Sequence, residues 1–236
     1  MGNFFKQDKT SPDLFVHRLS KLNQILLLLT FSLVILCSLT ITGADQKVIG
    51  TFFPEYGWTL GDLPFFKFLY DFGPIPSLAL GAISLVAFIY FLFLTKSFRK
   101  SLPYAFPFMT LLIGPGLIVN SIFKDHWGRV RPRQVDLYGG SHTYTNFWTP
   151  NFESEGRSFP SGHASVGFHL CCLAFLRKNP YRGAFFSFGI FWGLLIGLAR
   201  ILQGGHFLTD VIASGFFVLL TCILFSSQTR TTEVKQ

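Results

Sequence analysis

Long apolar runs, separated by short basic or aromatic segments, dominate this sequence. Half of the 236 residues are hydrophobic and only 14 % are charged, against roughly 25 % in soluble domains. A soluble core of this size could not hold so much apolar surface, so we expect the bilayer to be the solvent. The predicted fold is an all-α polytopic membrane protein, a six-transmembrane-helix bundle. Its helices are predicted at about Leu22–Ile41, Pro74–Leu94, Leu102–Phe123, His163–Leu176, Ala184–Ile201 and Phe207–Phe225.

The polar ends of the chain flank one predicted membrane domain over residues 22–226. Residues 1–21 and 227–236 are predicted to be cytoplasmic tails. The first apolar run is long and lacks a small-residue cleavage site, which favours a retained helix over a removed signal peptide. Residues 43–73 are rich in aromatic residues and prolines, which predicts a loop at the membrane interface. Gly114-Pro115-Gly116 predicts a kink in the third helix.

The basic residues predict an orientation. If the N-terminus is cytoplasmic, the basic loops 95–101 and 177–183 lie inside, and twelve of the 20 Lys and Arg residues share that side. The other eight would lie outside: Lys47, Lys67, Lys124, Arg129, Arg131, Arg133, Arg157 and Arg200. Cations kept on the disfavoured side predict anion binding. No basic face extends along a soluble domain, so the net charge of +8 does not indicate a nucleic-acid partner.

The segment 157–165 reads RSFPSGHAS and directly precedes an apolar run. Pro160 and Ser161 fall where a helix is predicted to begin, with the Ser161 hydroxyl as its N-cap. Gly162 would let the backbone approach a ligand closely, and His163 would stand one residue inside the helix. Helix N-termini attract anions, so this turn is a candidate anion site. The alternative is an ordinary capped helix start with an unrelated histidine.

Further charged residues are predicted at the same end of the bundle. Lys124 and Arg131 are seven residues apart and would share one face if the third helix continues. Arg200 ends the fifth helix and His206 opens the sixth, with Asp210 one turn on and within reach of the imidazole. Cations, histidines and a carboxylate in one place are what phosphoryl transfer through a covalent histidine requires.

Each of these features also has a structural explanation. Lys124 and Arg131 could be interfacial side chains that snorkel. His206 and Asp210 could form a structural hydrogen bond or ligate a metal, although the neighbouring cations would repel a metal ion. The four cysteines lie in apolar segments without metal-ligand spacing. His169 is predicted to be a hydrogen-bonded, buried histidine.

Three motifs together resemble a known signature. They are Lys124-x6-Arg131-Pro132, Pro160-Ser161-Gly162-His163 and Arg200-x5-His206-x3-Asp210. In order and internal spacing they are similar to the signature of the type 2 phosphatidic acid phosphatase family, which includes membrane lipid phosphatases and soluble vanadium haloperoxidases. Ala199 stands where the family usually has serine, which removes a possible hydroxyl contact and leaves every charged role filled. A haloperoxidase does not fit so apolar a chain.

The resemblance implies a role for each residue of the signature. His206 would be the nucleophile that forms a phosphohistidine, Asp210 would orient it, and His163 would be the general acid. No metal or other cofactor would be required. The phosphate-binding residues would be Lys124, Arg131, Ser161, Gly162 and Arg200.

Other residues fall outside the signature. Arg129 and Arg157 lie near enough in sequence to help bind a headgroup. Residues 134–156, which include Tyr144 and Trp148, are predicted to shape the headgroup pocket.

The predicted function is that of a metal-independent lipid phosphate phosphatase, a phosphoric monoester or diphosphate hydrolase. Its partners would be a phosphorylated membrane lipid and the bilayer. We expect it in a bacterial inner membrane, with the site on the extracytoplasmic face. A lipid phosphotransferase using the same intermediate and an anion transporter are the alternatives. The sequence does not distinguish phosphatidic acid, phosphatidylglycerol phosphate, polyprenyl diphosphate and lipid A as substrates.

Overall fold

The computed structural model describes residues 12–176 and 179–226, which are helical apart from turns and connecting loops. The all-α prediction is therefore confirmed. Of the predicted tails, residues 1–11 and 227–236 lie outside the described residues, and residues 12–21 form the start of a helix. The helices are α1 (Pro12–Ile41), α2 (Ala44–Tyr56), α3 (Pro64–Phe72), α4 (Ile75–Thr95), α5 (Phe98–Leu111), α6 (Lys124–His126), α7 (Gly162–Phe168), α8 (Arg182–Leu202) and α9 (Leu208–Ser226).

Five helical stretches of the described chain are long and apolar enough to cross a membrane. They are Ser20–Ile41, Pro64–Thr95, Phe98–His126, Arg182–Leu202 and Leu208–Ser226. The fourth predicted helix is a shorter apolar stretch, Gly162–Phe175, in which α7 continues as a 3-10 helix from His169 to Phe175. The interfacial loop predicted over residues 43–73 is wrong, because that region folds into α2, a 3-10 turn (Thr59–Asp62) and α3.

The third predicted helix departs from α-helical geometry over twelve residues and not at a single kink. After α5 the chain continues as a π-helix over Leu112–Phe123, which includes the predicted kink at Gly114-Pro115-Gly116. Proline has no N–H to donate to the helix ladder, and polar side chains bond the carbonyls that the wider turns expose. Asn120 Nδ2 donates to the Pro115 carbonyl at 2.7 Å, and Ser121 Oγ donates to the Gly116 carbonyl at 3.2 Å. The π-helix thereby places Asn120 beside Lys124.

Helices α7, α8 and α9 pack against one another and carry His163, Arg200 and Asp210. Glycines at four-residue intervals on α8 permit this close approach. A Cβ at Gly189 would lie 2.6 Å from Sγ of Cys171, and one at Gly193 would lie 2.6 Å from Cε1 of Phe168. This packing fixes the end of α8 relative to the starts of α7 and α9.

Candidate active site

His206 and Asp210 lie together where α9 begins, and both are buried. His206 Nδ1 is 2.6 Å from the Ser158 carbonyl oxygen and 3.8 Å from Oδ2 of Asp210. A carbonyl can only accept, so Nδ1 carries the proton and Nε2 is left unprotonated for attack. The Ser158 carbonyl is thus the nearer acceptor for the Nδ1 proton, and Asp210 lies within reach of the same ring nitrogen, as its position one turn on predicts. Asp210 acts on the ring through its charge.

The environment of His206 keeps its ring neutral. Burial lowers the pKa of His206 to about 4, and the charges of Arg200 and Lys124 act in the same direction. The carboxylate of Asp210 opposes them without reversing the effect. A neutral imidazole is the form that attacks phosphorus.

His163 stands at the start of α7 and packs against an aromatic residue of α3. Its ring stacks on Tyr70, with centroids 4.5 Å apart and planes 19° from parallel. The guanidinium of Arg200 lies over the same Tyr70 ring, 4.6 Å from its centroid. Tyr70 thus contacts two signature residues, although nothing in the sequence singled it out.

The predicted phosphate-binding residues surround His163. The charges of Arg200, Lys124 and Arg131 all act on its ring. A Cβ at Gly162 would lie 3.0 Å from Lys124 Nζ, so glycine is what lets this lysine approach the start of α7. The prediction that Lys124 and Arg131 share a helix face is wrong. The helix ends at His126, and Arg131 returns to the site from an extended loop.

That loop turns at Gly128, whose φ of +69° lies in the left-handed region. A Cβ there would lie 2.7 Å from the backbone carbonyl carbon of Asn151. The turn leaves Arg131 facing a cavity that Arg200 also lines.

Two predicted phosphate-binding groups are buried polar atoms without a hydrogen-bond partner among the described residues. They are Oγ of Ser161 and Nε of Arg200. The predicted N-cap role of the Ser161 hydroxyl is wrong, because that hydroxyl bonds no backbone group of α7. Such orphaned atoms are rare in folded proteins and need a reason. Both would be satisfied by an anion placed between the start of α7 and the end of α8.

The two arginines outside the signature differ in their surroundings: one is enclosed by carboxylates, and the other lies at the surface near Lys124. Arg129 is 1 % exposed and forms ion pairs with Asp45 and Asp210, which makes the predicted headgroup role wrong. Arg157 is exposed and pairs with Asp125. His169 is buried as predicted, with Nε2 2.9 Å from the Pro107 carbonyl and 3.2 Å from Thr110 Oγ1.

A cavity of about 580 Å³ adjoins the cations. It lies beside α3 and the end of α8, and no residue of the segment 134–156 lines it, so the headgroup role of that segment stays a prediction. In that segment Tyr138 and Phe147 are buried in aromatic packing instead. The cavity is lined by Trp58, Asp62, Lys67, Tyr70, Asp71, Arg131, Arg133, Arg200 and Gln203.

No group of three or more His, Cys, Asp or Glu side chains that could hold a metal ion occurs in the described part of the chain. The charges near the two histidines are instead those of Lys124, Arg131 and Arg200. With a neutral, nucleophilic imidazole and a second histidine, the site can transfer a phosphoryl group.

Comparisons with known proteins agree with this chemistry. The model of the PAP2 superfamily matches residues 104–233. The chain is 33 % identical over 175 residues to a lipid A 4'-phosphatase of Francisella tularensis subsp. novicida (strain U112), covering 72 % of this chain and 78 % of that protein. It is 35 % identical over 129 residues to a lipid A 4'-phosphatase of Rhizobium leguminosarum, covering 54 % of each.

A lipid A 1-phosphatase of Rhizobium etli is 35 % identical over 122 residues, covering 50 % of this chain and 48 % of that protein. The chain thus spans about half the length of these Rhizobium relatives. No solved structure gives a significant match. The predicted resemblance is confirmed, because the family model matches more than half of the chain. The chain belongs to the PAP2 superfamily and is a membrane lipid phosphomonoesterase.

Proposed function

We propose that this protein removes a phosphate monoester from the glucosamine headgroup of lipid A. The named activities of its relatives support this substrate. The observation that carries the chemistry is that two of the three buried side-chain atoms without a partner among the described residues, Ser161 Oγ and Arg200 Nε, belong to the signature. They lie beside His163 and His206, and phosphate oxygens would satisfy both atoms.

The proposed reaction has two steps. Nε2 of His206 attacks phosphorus, the bond to the sugar oxygen breaks, and protonated His163 gives its proton to that oxygen. Water then attacks the phosphohistidine and returns a proton to His163, which releases phosphate and restores neutral His206. Lys124, Arg131 and Arg200 bind the phosphate oxygens and stabilise their charge in both transition states, with the Ser161 hydroxyl and the Gly162 backbone beside them, while the Ser161 N–H donates to the backbone carbonyl of Asp210. Asp210 favours the positive charge that the His206 ring acquires.

The cavity beside the cations supports a sugar headgroup. Its volume of about 580 Å³ falls within the range of ligand pockets. Asp62 and Asp71 offer carboxylates to hydroxyl groups, and Trp58 and Tyr70 offer aromatic surface. The headgroup of phosphatidic acid consists of the phosphate alone and would leave such a cavity empty. A phosphorylated glucosamine would place its ring and hydroxyl groups in it.

The site is proposed to face the outside of a bacterial inner membrane, with Gly162–Phe175 as the sixth crossing. Seven α-helical and seven 3-10 residues together rise about 24 Å, close to the roughly 30 Å of a bilayer core. Six crossings return both chain ends to the cytoplasm. Single cysteines placed at Ser141 and at Arg99, in a variant without the four native cysteines, test this orientation. Spheroplasts with an intact inner membrane would be treated with an impermeant thiol reagent. Labelling at residue 141 is expected, and labelling at residue 99 alone would reverse the orientation.

A substrate panel tests the proposed activity. Purified protein would be incubated with lipid A carrying both phosphates, with phosphatidic acid and with phosphatidylglycerol phosphate, without an added acceptor. We expect free phosphate mainly from lipid A, with mass spectrometry of the product identifying the sugar that lost it. Faster release from phosphatidic acid would contradict the proposed substrate. Loss from lipid A only when an acceptor lipid is present would make the protein a phosphotransferase.

A further inference from the structure

A buried cluster of three charges lies behind His206, and only Asp210 of the three belongs to the signature. Arg129 Nη1 donates to Oδ1 of Asp210 at 2.5 Å, and its Nη2 donates to Oδ2 of Asp45 at 2.8 Å. All three side chains are at most 1 % exposed. Asp45 comes from α2, outside the residues 104–233 that match the family model. A region remote in sequence therefore contacts the catalytic carboxylate through one arginine.

Every carboxylate oxygen in this cluster has a donor. Oδ2 of Asp210 accepts from Ser158 Oγ at 2.6 Å and from the Phe207 N–H at 2.8 Å. Oδ1 of Asp45 accepts from the Thr209 N–H at 2.8 Å, and its Oδ2 accepts from Thr209 Oγ1 at 2.7 Å. Buried polar networks with all members satisfied are rigid. Asp210 consequently has no freedom to rotate toward or away from His206.

The charge of the cluster suits the proposed reaction. One guanidinium and two carboxylates give a net charge of −1 in a place without solvent. When Nε2 of His206 bonds to phosphorus, its ring becomes positively charged, and this negative charge stabilises it. The charged groups that act on His206 are Asp210, which favours its positive form, and the cationic Lys124 and Arg200, which oppose it. The net negative charge of the cluster offsets the positive charge of those two cations at His206.

We propose that Asp45 and Arg129 are positioning residues, which hold the carboxylate of Asp210 at its distance from His206. Through them, α2 contributes to the rate of phosphoryl transfer. This inference rests on the proposed reaction at His206, and not on which lipid is the substrate. Asp45 also accepts a hydrogen bond from the Thr209 N–H in the first turn of α9. One side chain therefore fixes the position of the start of α9 and, through Arg129, that of the Asp210 carboxylate.

The test is a double-mutant cycle of Asp45→Asn and Asp210→Asn. Asparagine is isosteric and keeps an acceptor for the Thr209 N–H, while it removes the ion pair with Arg129. We expect Asp45→Asn to lower kcat on the order of 10²-fold, as a misplaced catalytic group does, with KM changed less than twofold. Because Asp45 acts through Asp210, the double variant should be no slower than Asp210→Asn alone.

Arg129→Lys is the second variant. Lysine keeps the charge but lacks the fork that bonds two carboxylates at once, so we expect a kcat loss similar to that of Asp45→Asn. Asp136→Asn is the matched control, because it makes the same chemical change at an exposed carboxylate. Thermal unfolding in detergent checks that each variant is folded.

The possible outcomes separate the inference from the proposed function. Full activity of folded Asp45→Asn, or losses that multiply in the double variant, would overturn the positioning role. A wild-type protein that releases no phosphate from any phosphomonoester would instead refute the proposed reaction. If Asp45→Asn fails to fold, Arg129→Lys decides the question. Full kcat of Arg129→Lys would overturn the inference, because bonding both carboxylates with one guanidinium would then not be needed for the reaction.

Discussion

Replacing Gly205 with alanine would displace a phosphate-binding group without disturbing the fold. A Cβ at this position would lie 2.8 Å from Cζ of Arg200, and the Nη2 atom would lie closer still. Ordinary contacts begin near 3.4 Å, so the guanidinium must retreat by about 1 Å. The guanidinium is the far end of a flexible side chain and can move at little cost in stability. Gly205 is not among the residues with positive φ, so alanine does not strain the backbone.

A misplacement of about 1 Å in a binding group lowers a rate on the order of 10²-fold, equivalent to about 2.7 kcal/mol. The assay is kcat/KM for phosphate release, with thermal unfolding measured in parallel. Gly183→Ala is the matched control, since no described atom lies within 4 Å of its added Cβ. Equal activity of folded Gly205→Ala and wild type would refute the role of Arg200. An equal loss in Gly183→Ala would refute the steric argument.

Three further predictions concern the histidines and their neighbours. His163→Ala should lose roughly 10²–10⁴-fold on a lipid monoester and much less on a nitrophenyl ester, whose leaving group needs no acid; equal losses on both would contradict the general-acid role. Tyr70→Ala should lose about tenfold in kcat, because the ring contacts both His163 and Arg200, whereas Tyr70→Phe should stay near wild type. Since burial lowers the pKa of His206 to about 4, the acidic limb of the pH profile should lie near pH 4, where the ring becomes protonated and cannot attack; a separate basic limb should report loss of the proton that His163 donates. An acidic limb near the ordinary histidine pKa of about 6.5 would contradict that prediction.

The sequence predicted the family because its signature depends on local spacing. Arg200, His206 and Asp210 are close in sequence, and only a short turn separates the end of α8 from the start of α9, so the three residues lie near one another in the structure. The apolar runs predicted the long helices, since length and composition alone decide whether a segment can span a bilayer.

The sequence could not predict contacts that depend on tertiary packing. Asp45, Tyr70 and Ser158 reach the site from distant segments, and no periodicity relates them to it. Helix geometry placed Asp210 within reach of His206, but His206 lies before α9 begins, and the Ser158 carbonyl is the nearer acceptor for its ring. Arg129 was misassigned because a cation near an anion site was expected to face the ligand, whereas two buried carboxylates bind it.

The central claim is that His206 carries the phosphoryl group, and a trapped phosphoenzyme tests it most directly. Enzyme mixed with lipid A bearing labelled phosphate would be quenched in base, where phosphohistidine survives, and digested for peptide mapping. We expect the label on His206, more of it in His163→Ala if the second step needs that residue, and none in His206→Ala. Label on any other residue, or rapid turnover with no label at any quench time, would contradict the account.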